Sequence, residues 1–122
     1  MRVGVFANPY IPEIHLFCDR RKFKRFCKRR FGEFKDLCTC GQTYYVDGVA
    51  AVLIDPPKGG DIASTFALIA HESYHVACFH FERLGVTEYD DEIMAYAVQV
   101  ISGSLCVAHM EWLAKKRGVT AV

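Results

Sequence analysis

Residues 68–81 read LIAHESYHVACFHF, an almost unbroken apolar run that carries three histidines and a glutamate. That combination limits what the chain can become. So apolar a run is expected to be buried, and buried imidazole and carboxylate groups are costly unless something satisfies them. On a helix, residues four apart stack on one face, so His71 and His75 present two imidazoles to one point. Glu72 lies about 100° round from His71, on the flank of that point. His80 comes nine positions after His71, and nine steps turn it to about the opposite side. The spacing therefore divides the histidines: His71 and His75 converge, and His80 does not. HExxH on a helix is the arrangement in which two histidines bind zinc and the glutamate polarises a water on the metal.

The surrounding sequence supplies the helix. Asp61 is a cap residue, the pattern predicts a helix over 62–83, and Gly85 is its stop. A second long helix is expected after Thr87, where Thr87-x-x-Asp90 resembles a capping box. Acidic residues crowd its start, and Lys115, Lys116 and Arg117 crowd its end. A kink or break is expected at Gly103. Upstream, VGVFA (3–7) and IHLFC (14–18) read as short strands. CGQTYYVDGVAAVLIDP reads as a β-hairpin turning at Asp47-Gly48. Between them, Asp19 and Gly32 bound an amphipathic helix with Phe23, Phe26, Cys27 and Phe31 on one face. Its other face is basic, with eight Arg or Lys over residues 20–30. The expected class is α+β: a short antiparallel sheet with the basic N-terminal helix, then the HExxH helix and a second long C-terminal helix. The 122 residues suit one domain.

Zinc that keeps one position for water needs a third protein ligand. Downstream candidates are Asp90, Asp91, Glu92 and His109. Asp90 and Asp91 look like cap and first-turn residues. Glu92 is the favoured ligand, because it is followed at helical spacing by Ala95, Tyr96 and Gln99 on an antiparallel helix. His109 is the reserve. An oxyanion donor is also needed, for which Tyr74, Tyr89 and Tyr96 are the nearby tyrosines.

Composition sets the wider frame. Net charge is +1, but residues 1–60 hold eleven basic and six acidic residues, while 61–122 hold four and eight. That asymmetry points to a basic docking face for nucleic acid or an acidic protein. No apolar run reaches the roughly 18 residues of a membrane span. Pro9 and Pro12 interrupt the N-terminal stretch where a signal peptide needs a continuous apolar helix. The expected location is therefore the cytoplasm, with no membrane partner. The six cysteines are then expected as reduced thiols. Cys38 and Cys40 are too close together for the usual zinc-knuckle pair.

HESYH, followed by a glutamate at the start of the next helix, resembles the gluzincin branch of the zincin metallopeptidases. The short chain resembles the minigluzincin or ImmA/IrrE-type small zincins. The resemblance spans about residues 44–102, roughly half of the chain. It implies a small zincin-like domain and a zinc-dependent peptidase. In that family His71, His75 and Glu92 match the Zn2+ ligands and Glu72 the base that activates the zinc-bound water. Zincin substrates pair with the edge of the sheet, expected here near 50–54. The alternative expectation is a non-catalytic, zinc-stabilised binding module that contacts nucleic acid or a protein through the basic helix.

Overall fold

Val49–Ile54 (VAAVLI) is the strand around which the chain is built, and its composition explains why. Ala50, Val52 and Ile54 face one way, Ala51 and Leu53 the other, and all five are fully buried. A strand that is apolar on both faces needs cover on both. The computed structural model describes residues 1–4, 8–37, 39–88 and 90–118. Within these, the elements are β1 (Arg2–Val3), β2 (Glu13–Phe17), α1 (Arg20–Phe31), β3 (Gly41–Val46), β4 (Val49–Ile54), α2 (Ile62–Arg83) and α3 (Asp91–Lys116). The sheet order is β1-β2-β4-β3.

The α+β class is as expected, but the sheet is mixed rather than antiparallel. β1 pairs antiparallel with β2, and β3 with β4, while β2 and β4 run parallel from Glu13↔Val49 to Phe17↔Leu53. The physical reason is α1. It carries the chain out from the end of β2, and parallel neighbours need such a crossover. A second correction follows from the order. Residues 50–54 are interior, hydrogen-bonded on both sides, and the edge beside them is β3.

Each face of the sheet has its own core. On one side Phe23 and Cys27 of α1 pack on Ala51 and Leu53, with Phe17, Phe26, Phe31, Phe34 and Tyr44 around them. On the other, α2 and α3 bring Ile69, Val76, Phe81, Ile101 and Leu105 against Ile14, Leu16, Val52 and Ile54. The basic side chains of α1 therefore look away from the HExxH helix.

The caps explain the boundaries. Asp19 accepts from Arg21 N, and Gly32 closes α1 at φ 81°. Asp61 accepts from Ser64 N to start α2. α3 starts at Asp90, which accepts from Ile93 N at 2.9 Å; the expected Thr87 box is replaced by the stronger Asp cap. α3 also continues without a break through Gly103. By length and composition α3 is long and apolar enough to cross a membrane, with a mean hydropathy of 1.5 over its most apolar window. This differs from the expectation that no stretch reaches that threshold. Ala97, Ile101, Leu105, Ala108 and His109 of this helix are buried.

Candidate metal centre

His71 and His75 stand one turn apart on α2, and their Nε2 atoms are 3.2 Å from each other. Two nitrogens each about 2.0–2.1 Å from a tetrahedral zinc ion are separated by about 3.3 Å. The pair thus has the spacing of two ligands of one ion. His71 is exposed and His75 half-buried, so the shared point opens to solvent.

Glu72 completes the flank. It is only 4% exposed. Its Oε1 accepts from Thr43 Oγ1 at 2.8 Å, and its Oε2 lies 4.0 Å from His71 Nε2. A buried carboxylate needs such support. The support comes from β3, the edge strand, which crosses α2 very closely. A Cβ at Gly41 would lie 2.6 Å from Leu68 Cδ1 and 2.9 Å from Glu72 Oε2, so only glycine fits without displacement. Gly41, Thr43 and Tyr45 share the strand face turned to α2, as alternation requires. Thr43 and Gly41 are site residues that sequence reasoning passed over. The period-two reading of GQTYY, set against the helix, was the signal that could have found them.

Tyr45 continues this contact to His80. Nε2–H of His80 donates to the Pro9 carbonyl at 2.8 Å, since a carbonyl only accepts, and Nδ1 accepts the Tyr45 hydroxyl at 2.6 Å. Burial lowers the pKa of His80 and raises that of Tyr45. His80 is thus a neutral residue holding the N-terminal segment, α2 and β3 together.

A groove of about 640 Å³ runs beside the pair, between β3 and the second half of α2. Thr43 lines it and bonds Glu72; Phe79 lines it and stacks on His75 with ring centroids 6.0 Å apart. Tyr45, Glu82 and Arg83 also line it.

The structure brings together His71, Glu72 and His75. Glu92 and Asp91 lie exposed in the first turn of α3, and Asp90 is its cap. α2 continues eight residues beyond His75 to Arg83, about 12 Å of helix. Among the described residues no group of three or more His, Cys, Asp or Glu side chains is gathered for a metal. His109 is engaged elsewhere, with its Nδ1 3.4 Å from Cys18 Sγ. Tyr74 and Tyr96 are exposed, and Tyr89 lies outside the described residues, as does Cys38. Compared with known proteins, the chain matches no family model, no curated protein and no solved structure.

Proposed function

We propose that this protein is a zinc-dependent peptidase of the gluzincin kind, acting at the His71–Glu72–His75 face of α2. The observation that carries the reading is the pair of Nε2 atoms 3.2 Å apart beside a buried, oriented carboxylate. Zinc held by His71 and His75, and by Glu92 only if the start of α3 is brought to the pair, would polarise a peptide carbonyl and make water nucleophilic near neutral pH. Glu72 takes the proton of the attacking water and returns it to the leaving amine. Thr43 occupies one carboxylate oxygen and keeps the other turned toward His71. The substrate chain lies along the free edge of β3, whose unpaired backbone groups accept an added strand. Its side chains then enter the groove that Phe79 and Tyr45 line.

Metal analysis and three proteins test this. The wild type binds one zinc per chain and cleaves an unfolded protein substrate. Glu72→Gln keeps the zinc and loses cleavage; unchanged cleavage in that variant rejects the role of Glu72. Glu92→Ala loses zinc; if the metal stays, another residue is the third ligand. A wild type that binds zinc and cleaves nothing is a zinc-stabilised binding module instead.

A further inference from the structure

A second crevice opens beyond the carboxyl ends of the parallel strands β2 and β4, on ground that the hydrolytic reading does not use. Cys18 follows β2 and Asp55 follows β4. In open sheets the space outside the carboxyl ends of parallel strands is where ligands bind. Two cavities, of about 560 and 670 Å³, meet here and share Cys18, Asp55, Trp112 and Lys116 in their walls.

His109 marks this place as more than a surface dent. It is 4% exposed and lines the first cavity. Burial pushes the Cys18 thiol up to about 12 and lowers the pKa of His109, so both are neutral near pH 7. Cys18 Sγ and Nδ1 share one hydrogen bond, and Nε2 has no protein partner among the described residues. No described side-chain nitrogen or oxygen that is shut off from solvent lacks a partner, so Nε2 is not sealed off from solvent. The imidazole stacks on Trp112 at 5.9 Å, and Lys116 Nζ lies 4.9 Å from the centre of the indole ring. Trp112 is thus packed against His109 and covered by the exposed Lys116 side chain, which has to swing off the ring before anything flat can stack there.

The charges sort by their engagements. Arg20 pairs with Asp36 at 2.8 Å, and Asp19 is used as the cap of α1. Arg21 and Lys24 line the second cavity and are exposed. Arg21, Lys24 and Lys28 recur at helical spacing, so the row leads out of the crevice along about 10 Å of α1. Asp55 stands in the shared wall beside Cys18, whose pKa its charge helps burial to raise. It repels phosphate locally and accepts from a sugar hydroxyl or a base amino group. A stacking platform beside a basic track is the equipment of single-strand binding.

We propose that this crevice binds single-stranded nucleic acid, with one base taking the place of Lys116 over Trp112 and successive phosphates held by the displaced Lys116 and by Arg21 and Lys24. An exposed row of cations continuing outward suits a polymer better than a free nucleotide, and the stacking platform suits a base better than an acidic peptide.

Trp112 is the one tryptophan of the chain, so its fluorescence reads the crevice directly. Full-length protein is titrated with an oligothymidylate of about twelve nucleotides, with thymidine monophosphate and with polyglutamate. The oligonucleotide is expected to quench Trp112, and log affinity against log salt to slope at about −2, for three contacts at about −0.7 each. The double variant Arg21→Ala/Lys24→Ala is expected to flatten that slope by about 1.4. Lys116→Glu is expected to weaken binding at least about tenfold, with an unchanged circular dichroism spectrum. No quenching, or a salt-independent affinity, overturns the proposal. So does monophosphate binding as tightly as the oligonucleotide, which would make this a free-nucleotide site. Polyglutamate quenching to the same degree also overturns it in favour of an acidic protein partner. If Lys116→Glu leaves affinity unchanged, the crevice is not the site.

Discussion

His75 and His80 are five residues apart on α2, yet they are kept in opposite ways. His80 is buried, and both of its nitrogens are spent on Tyr45 and Pro9. His75 is half-buried, and among the described residues its Nε2 meets the Nε2 of His71. Two neutral imidazoles can share at most one hydrogen across such a contact. The first histidine has a closed set of partners and contributes to the fold. The second faces another imidazole, and in the proposed reading an ion is what completes both. A helix of one composition thus carries a histidine closed into the fold and one left open, separated by what the neighbouring strand offers each.

The sharpest break between the two regions should come from exchanging their losses. Glu72→Gln is expected to lower hydrolysis by about 10²–10⁴-fold, the range of a general base, while leaving the unfolding midpoint in urea essentially unchanged. His80→Phe is expected to do the reverse. It strands the Tyr45 hydroxyl and costs about 2 kcal/mol or more in unfolding free energy, while one zinc per chain is still bound. A His80→Phe protein that lost zinc but not stability would erase the distinction drawn here.

Smaller effects sharpen it. Thr43→Val removes the bond to Glu72 Oε1 and should lower kcat by about tenfold or more, as a hydrogen bond to a charged group is worth about 1.5–3 kcal/mol. KM and zinc content should hardly move. The pH dependence belongs to the buried histidines. The folded pKa values of His80 and His109 lie below the ordinary histidine value of 6.5, chiefly through burial. Their contribution is whole above pH 6.5 and is lost as pH falls below it, because the unfolded chain then takes up protons that the folded one refuses. Unfolding free energy of zinc-free protein should fall with a slope of at most about 1.4 kcal/mol per pH unit for each histidine. In His80→Phe the slope should drop to the share of His109.

Much of this was legible in local signals. Asp19, Gly32 and Asp61 stand at helix ends because their side chains or backbone angles serve there and nowhere else nearby. The Asp47-Gly48 turn carries positive φ at both residues, 48° and 81°, as its hairpin requires. The convergence of His71 and His75 followed from helical geometry alone. What escaped was everything decided by one element meeting another. β2 and β4 are both apolar strands, and nothing within either states that they run parallel. Thr43 looks like any strand threonine until α2 is laid beneath it. Gly103 proposed a break that a 26-residue helix absorbs, because a helical glycine costs only about 1 kcal/mol. The place of Glu92 depends on how far α2 runs before it turns, which no residue in the motif encodes.

The Asp47-Gly48 turn reaches further than its own hairpin. It fixes Thr43 opposite Val52 and Tyr45 opposite Ala50. A strand displaced by one residue shows its other face. Adding or deleting a single residue in this turn would carry Gly41, Thr43 and Tyr45 off α2 together, taking clearance, base and anchor in one stroke. The alignment of the His71–Glu72–His75 face with the sheet is thus kept by the length of a loop outside it, and variation in that loop should be tolerated only in steps of two.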